Sequence, residues 1–236
     1  MEAFFTLHRD LPREGPGEAA DVVWAAQLAG IGETAQMADV ACGPGGDIAT
    51  LLNAAPKGHV TALDKTAHFV AAVRADWQNE GRVTVLKADM AAIRNSYDLI
   101  WCAGAVYFMG VPQALKAWRK SLHPGGVIAF SEACWFTDAP SERAKVHFAS
   151  EYPTLTDEAG VKAQIEEAGY ELLGTRRLSD AAWEAYFGPL EARMAGLRAG
   201  ADATLKAVLD EAAEEIGCWR AHRDEFGYLL SVVRPA

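Results

Sequence analysis

The sequence predicts a doubly wound α/β fold, in which a mostly parallel sheet carries helices on both of its faces. Short apolar segments alternate with amphipathic helical segments across residues 36–135. The chain has 236 residues, a length that suits one large domain better than two separate ones. Half of the residues are hydrophobic, so there is enough apolar material for a substantial core.

The predicted elements follow one another in strand–helix order after a first helix at residues 21–29. Strands are expected at residues 36–40, 59–63, 82–86, 97–102 and 127–133. Helices are expected between them at residues 46–55, 67–78 and 111–121. This alternation is typical of parallel strands joined by crossover helices. Ligands of such sheets bind outside the carboxyl ends of the strands.

The last third of the chain has a different pattern. A helix at residues 157–168 and a strand at 170–178 precede two helical stretches at 181–198 and 202–216, and a strand at 228–233 follows. We therefore expect a single domain over residues 1–236. Its parts are a lead-in with a helix at 1–35, a binding core at 36–135 and a helical insert at 180–217.

Charge and composition exclude several classes of function. The net charge of −10 disfavours nucleic acid as a partner, because an acidic surface repels phosphates. No apolar stretch is long enough to span a membrane, and residues 1–13 do not resemble a signal peptide, so we expect a cytoplasmic protein. The four cysteines are far apart and form no C-x-x-C pair, so no metal site is expected.

The chemistry-bearing motif is residues 37–46, Met-Ala-Asp-Val-Ala-Cys-Gly-Pro-Gly-Gly, where a strand enters a small-residue loop that opens a helix. Such a loop lets backbone amides approach a ligand, although a simple tight turn would look the same. Asp64 ends the second strand, where a carboxylate can accept hydrogen bonds from both hydroxyls of a ribose. Asp89 follows the third strand, where it can bond an adenine amino group or merely cap a helix, and Met90 can pack on the ring.

As an ordered set these motifs resemble those of class I S-adenosylmethionine-dependent methyltransferases. The resemblance rests on residues 39–46, Asp64, and residues 88–90, 97–100 and 122–126. It is closest to the small-molecule branch that includes the ubiquinone/menaquinone-biosynthesis type. Residues 15–17, 100–107 and 183–186 are similar to motifs of a subgroup of that branch whose members are mostly unassigned.

The resemblance implies a Rossmann-like sheet of seven strands, with the last strand antiparallel and placed between the fifth and sixth. It also implies S-adenosylmethionine as cofactor, S-adenosylhomocysteine as its product, and a cofactor site without a metal. The residues expected at this site are Asp39, Ala41, Gly43, Gly45, Asp64, Lys65, Asp89, Met90, Cys102 and Ala103. Ala41 departs from the family pattern, which has glycine at this position. The departure matters because the methyl group of alanine disfavours positive φ.

The acceptor is expected to be a small molecule bound by loops at the strand ends and by the insert. Tyr107, Trp135, His147, Trp183 and Tyr186 are the candidates for this pocket, and Glu132, Tyr152 and Phe187 are wider candidates. Aromatic residues at helical spacing are equally typical of a packed core. The family has no universal catalytic residue, so none is assigned, and a monomer or homodimer is expected.

Two other functions compete with methyl transfer. A protein of this fold could bind S-adenosylmethionine without turnover. A nicotinamide-dependent oxidoreductase also uses a glycine-rich turn and a distal acid, but its turn reads G-x-G-x-x-G, whereas Ile48 stands three residues after Gly45 here.

Overall fold

One seven-stranded sheet forms the centre of the computed structural model, which describes residues 2–236 and, within them, all side chains except those of Ser150 and Glu151. The strands are β1 (Gln36–Val40), β2 (His59–Asp64), β3 (Val83–Lys87), β4 (Tyr97–Cys102), β5 (Leu122–Trp135), β6 (Tyr170–Arg177) and β7 (Phe226–Pro235). They lie in the order β3-β2-β1-β4-β5-β7-β6. The strands from β1 to β5 pair in parallel, and β7 is antiparallel to both of its neighbours. The predicted fold class is therefore confirmed.

The helices cover both faces of this sheet. The α-helices are α1 (Glu2–His8), α2 (Ala19–Ala29), α3 (Ile48–Ala54), α4 (Ala67–Asp76), α5 (Val111–Trp118), α6 (Glu142–Glu151), α7 (Glu158–Glu167), α8 (Asp180–Arg198) and α9 (Ala203–His222). The sequence did not predict α1, because seven residues are too few for a clear helical period. The helix α9 continues past its predicted end at residue 216. None of the helices in the described residues is long and apolar enough to cross a bilayer.

Alternation along the central strands sends successive side chains into two different core layers. Met37 and Leu99 pack in a layer with residues of α2, α3, α8 and α9, whereas Ala38 and Ile100 pack in a layer with α5 and α7. The strand β3 lies at the edge of the sheet, and Leu86 is 39% exposed there. The expectation that both faces of every strand are covered thus fails at this edge.

The predicted turn before the fifth strand is a bulge within β5. Tyr97 of β4 pairs with Leu122, and Leu99 pairs with Val127, so that the residues between Leu122 and Val127 loop out of the ladder. Gly126 is required at this point, because a Cβ there would lie 2.7 Å from the carbonyl oxygen of Tyr97. A bulge of this kind bends the strand while keeping the pairing on both sides of it.

Residues 9–18, which we call the N-terminal strap, cross the loop that follows β1 and connect α1 to α2. The guanidinium of Arg13 donates to Asp47 Oδ1 at 2.6 Å, and the indole of Trp101 donates to Asp47 Oδ2 at 2.9 Å. Further along, the Gly17 N–H donates to the Ala182 carbonyl at 3.1 Å. The strap is therefore fixed at one end to the loop after β1 and at the other to the start of α8.

We expect Arg13→Met to lower the free energy of unfolding by on the order of 3 kcal/mol, because it leaves a nearly buried carboxylate without its cation. Urea denaturation of the purified protein measures this loss. The matched control is Lys57→Met, which removes an ion pair with Glu33 whose side chains are 71% and 67% exposed. That variant should change stability by less than about 0.5 kcal/mol. Equal losses in the two variants would contradict a structural role for Arg13.

Candidate functional site

A cavity of about 520 Å³ opens at the carboxyl ends of the parallel strands. This is the position where open α/β sheets bind their ligands. Of the residues predicted to contact the cofactor, most line this cavity: Asp39, Ala41, Gly43, Asp64, Lys65, Asp89, Met90 and Ala103. The parallel sheet thus brings residues that follow four different strands to one wall.

Gly45 and Cys102 do not line this cavity, so these two predicted contacts are corrected. Gly45 has a φ of +85°, and a Cβ there would lie 2.9 Å from Cδ1 of Ile48. Its small size therefore permits close packing of the turn against α3 and α4 rather than contact with a ligand. The side chain of Cys102 is fully buried in the layer that contains α5 and α7, and burial raises the pKa of its thiol.

The loop after β1 is held in a strained conformation. Ala41 has a φ of +56°, a left-handed conformation that costs a non-glycine residue about 1–2 kcal/mol. Hydrogen bonds from the two residues that follow Ala41 hold it there: the Cys42 N–H donates to the Leu63 carbonyl at 3.0 Å, and the Gly43 N–H donates to Asp64 Oδ2 at 3.1 Å. Contacts with the neighbouring strand β2 therefore stabilise the left-handed conformation of Ala41, which a glycine would adopt without strain.

Two aspartates at the base of this loop differ in how well they are paired. Asp64 accepts hydrogen bonds on both carboxylate oxygens, from Gly43 and from the Thr66 N–H at 2.7 Å. Asp39 is 2% exposed, and its Oδ2 has no hydrogen-bond partner among the described residues. Burial, reinforced by the charge of Asp47, holds the pKa of the Asp39 carboxyl well above its ordinary value. An unpaired buried oxygen on a cavity wall is the natural acceptor for a positively charged or N–H-bearing group of a ligand.

Asp89 has the capping role considered from the sequence, and its bonding to adenine stays a prediction. Its Oδ1 accepts a hydrogen bond from the Ala91 N–H at 2.8 Å and so caps the short 3₁₀ turn at Met90–Ala92. The side chain also lines the cavity, beside the half-buried Met90. The Trp118 indole fixes this turn by donating to the Met90 carbonyl at 2.8 Å. A packed core residue thus holds the two side chains at the rim.

A second cavity of about 630 Å³ lies beside the first, between the strap, β7 and the helices α8 and α9. Four of the five predicted acceptor residues line it: Tyr107, His147, Trp183 and Tyr186. Trp135 does not line either cavity, so this prediction is corrected. Its ring packs edge-on against the rings of Phe148 and Phe226, at centroid distances of 5.3 and 6.1 Å.

The aromatic residues of the insert form both core and cavity wall. Trp183 stacks between Trp219 and Tyr228, at centroid distances of 4.9 and 5.4 Å. Trp183 is 7% exposed and Tyr186 is 6% exposed, yet both line the second cavity. Phe187, one of the wider candidates, is fully buried and lines neither cavity. Trp183 and Tyr186 of α8 are therefore both packed core residues and part of the cavity wall.

Glu132, near the carboxyl end of β5, is joined to the second cavity through Tyr152. The Tyr152 hydroxyl lines the cavity side of this pair and donates a short hydrogen bond to Glu132 Oε1. In the described part of the chain, Glu132 Oε2 has no partner. Burial raises the pKa of Glu132 to about 7, although the bond from Tyr152 opposes that shift. The pair therefore presents a carboxyl group that can gain or lose a proton near neutral pH.

Several lining residues, among them Glu14, Gly104, Glu215 and Tyr228, were not identified from the sequence. The first and second cavities share one wall, formed by Phe4, Glu14, Gly15, Pro16, Gly104 and Tyr107. Glu215 of α9 and Tyr228 of β7 line only the second cavity. The one available signal was the family-like motif at residues 15–17, which indicated that the strap matters without indicating where it lies.

Comparisons with known proteins agree with this geometry. Residues 37–126 match the family model of the methyltransferase domain. Similar solved structures include an S-adenosylmethionine-dependent methyltransferase from Geobacter sulfurreducens in complex with S-adenosyl-L-homocysteine, with a TM-score of 0.83 and 18% identity, covering 100% of this chain and 98% of that one. YjhP from E. coli has a TM-score of 0.84 and 18% identity and covers both chains fully, at 100% each. A third similar structure is a methyltransferase from Thiobacillus denitrificans, also with S-adenosyl-L-homocysteine, with a TM-score of 0.83, 17% identity, and coverage of 100% and 99%.

No curated protein shows significant sequence similarity to this chain. The narrower resemblance to the ubiquinone/menaquinone-biosynthesis type stays a prediction. The broader one is confirmed: residues 37–126 match a methyltransferase domain, and the whole chain has the fold of class I S-adenosylmethionine-dependent methyltransferases.

Proposed function

We propose that this protein transfers a methyl group from S-adenosylmethionine to a small-molecule acceptor, with the donor in the first cavity and the acceptor in the second. The observation that carries this proposal is the wall common to both cavities, which includes Glu14, Gly104 and Tyr107. Ligands in the two cavities would meet at that wall. Positioning of this kind is the main contribution that a protein makes to a displacement reaction between two bound molecules.

The residues of the first cavity fit the cofactor group by group. The unpaired Oδ2 of Asp39 would accept from the ammonium of the methionyl part. Each carboxylate oxygen of Asp64 accepts one backbone hydrogen bond and keeps a lone pair for a ribose hydroxyl. Asp89 and Met90 would contact the adenine. When bound, S-adenosylmethionine supplies a methyl group that is already activated on a sulfonium. The complexes of the Geobacter and Thiobacillus proteins with S-adenosylhomocysteine support this assignment.

The chain's own contribution is to exclude water and to hold a proton. The aromatic residues around the second cavity would keep the acceptor away from water. For an acceptor that loses a proton, the Tyr152 hydroxyl would take that proton as its own moves to Glu132. A carboxyl with a pKa near 7 is suited to this exchange at neutral pH.

We expect the protein to bind S-adenosylhomocysteine, as measured by isothermal titration and by a rise in melting temperature. Asp39→Asn should weaken that binding about 10- to 100-fold, the loss expected for a hydrogen bond to a charged group. It should not destabilise the free protein, because it removes an unfavourable buried charge. Asp76→Asn, an exposed change at the end of α4, is the control and should bind normally.

Different outcomes of this experiment separate the competing functions. Binding of S-adenosylhomocysteine with no product formed from S-adenosylmethionine and any candidate acceptor would favour a binding protein without turnover. Binding of NADH with a rise in melting temperature, and no binding of S-adenosylhomocysteine, would favour the oxidoreductase. Absence of both effects would contradict the assignment of the first cavity.

We also expect Glu132→Gln to stabilise the protein increasingly as pH rises. The folded state favours the protonated Glu132, so ionisation costs stability as pH rises from 4.5, its ordinary pKa, to about 7, and the cost is constant above that. Relative to the parent, the melting temperature of the variant should rise by several degrees at about pH 8 and by much less at about pH 5. Glu171→Gln, at an exposed ion pair with Arg234, is the control and should show no such trend. A pH-independent difference for Glu132→Gln would contradict the raised pKa.

A further inference from the structure

The second cavity concentrates acidic and hydroxyl groups. Its lining includes four glutamates and four tyrosines: Glu14, Glu211, Glu214, Glu215, Tyr107, Tyr152, Tyr186 and Tyr228. No lysine or arginine lines it within residues 2–236, and the basic side chains that do are His8 and His147. Glu214 is exposed and pairs with Arg143 at 2.9 Å, and the other three glutamates give the lining a negative character.

Two of these glutamates have acceptor capacity that the protein does not use. Glu14 Oε2 lies 2.7 Å from Nδ1 of His8, but its Oε1 is buried without a hydrogen-bond partner in the described chain. Glu215 is half-buried and makes neither a hydrogen bond nor an ion pair with any described residue. Burial raises the pKa of Glu215, with His8 opposing the shift and Glu211 adding to it. Both residues line the cavity.

Two tyrosines lie next to these carboxylates. Burial raises the pKa of both phenols, which stay neutral. The charges of Glu215 and Glu14 add to the pKa shift at Tyr186, and those of Tyr107, Glu132 and Glu215 add to it at Tyr228. Neither hydroxyl has a hydrogen-bond partner among the described residues. The Tyr228 hydroxyl also lies beside Gly104, where a Cβ would be 3.9 Å away, in the wall shared with the first cavity. Ring and carboxylate groups thus converge near the point where the two ligands would meet.

We propose that the second cavity recognises an acceptor that carries a basic amine, held as an ammonium by Glu14 and Glu215 beside the rings of Tyr186 and Tyr228. An ammonium brings several N–H donors and a positive charge, which satisfy carboxylate oxygens and interact favourably with aromatic faces. An anionic acceptor would be repelled, and an apolar neutral one would leave the buried Glu14 oxygen unpaired. The inference rests on the proposed function only where it names the bound amine as the methyl acceptor. An ammonium nitrogen has no lone pair, so before transfer it would have to give up one proton, for which the Tyr152–Glu132 pair is the available route.

Isosteric pairs of probes that differ only in charge test this proposal. Butylamine and butan-1-ol form one pair, and benzylamine and benzyl alcohol form another. Trp183 and Trp219 line the cavity, so quenching of tryptophan fluorescence reports occupancy. We expect at least one cation to bind about tenfold or more tightly than its neutral isostere, the preference that a single charge-assisted hydrogen bond provides.

The variants Glu215→Gln and Glu14→Gln preserve shape and remove one charge each. Each should reduce the preference for the cation about tenfold or abolish it. Asp210→Asn is the matched control, because Asp210 lies on the same helix but pairs with Arg198 at an exposed site outside the cavity. Binding of S-adenosylhomocysteine, measured on the same samples, tests the proposed function separately.

The outcomes are distinguishable. Absence of any preference for the cation in both pairs, or a preference that survives both Glu→Gln changes, would overturn the inference, and retained binding of S-adenosylhomocysteine would leave the methyl-donor assignment intact. A preference that depends on Glu215, in a protein that does not bind S-adenosylhomocysteine, would support the amine site and contradict the proposed reaction.

Discussion

The ion pair between Arg13 and Asp47 is the contact on which both cavities depend. Asp39, Asp47 and Asp64 all lie at the base of the loop after β1, close enough for their charges to act on one another, and Arg13 opposes them. Arg13 comes from 34 residues earlier in the chain. Because it binds there, the strap also lies across the loop and brings Glu14, Gly15 and Pro16 to the wall between the cavities. One contact therefore offsets part of the negative charge of the donor site and builds a side of the acceptor site.

In the described residues, three of the four buried carboxylate oxygens without a hydrogen-bond partner lie at or next to the cavities, where a ligand would supply the missing donors. The fourth, Asp21 Oδ1, lies elsewhere and has the guanidinium of Arg176 at 3.3 Å. Glu14 and Asp39 line the cavities, and Glu132 is one hydrogen bond away from the second cavity through Tyr152. Folded proteins leave few buried polar atoms unpaired, since each costs about 1–3 kcal/mol. Because most of these unpaired oxygens lie together at the cavities, ligand binding explains them better than poor packing does. It agrees with a protein whose two ligands both bring positive charge.

Local patterns determined what could be predicted from the sequence. The strands β1 and β4 were predicted at their observed bounds because each is a short, mainly apolar segment between turn residues. Once the sheet is parallel, residues that follow successive strands, such as Asp64 and Asp89, must lie at one edge. Which way a side chain points within that edge is a different matter. Cys102 directs its thiol into the opposite core layer, and Trp135 packs on Phe148 of α6, whose position the sequence does not indicate.

The contacts that escaped prediction join residues far apart in the chain. The strap reaches the loop after β1 through Arg13, and α9 brings Glu215 near His8 of α1. Neither residue lies in a motif, and a glutamate on a long helix is ordinarily a solvated charge. Their roles follow from how α1, α8 and α9 pack together, which depends on tertiary packing rather than on local propensity.

The distribution of charge also suits the direction of the proposed reaction. Methyl transfer moves positive charge across the shared wall, from the sulfonium in the first cavity to the acceptor in the second. The donor side contains Arg13 and Lys65 among its carboxylates, whereas the acceptor side carries Glu14, Glu132 and Glu215 without a lysine or arginine in its described lining. Carboxylates that are fixed in place before the reaction stabilise charge as it develops without having to reorganise. The neutral thioether left in the first cavity would no longer be attracted by the carboxylates at the wall, so the same arrangement that favours transfer also favours release of the spent cofactor.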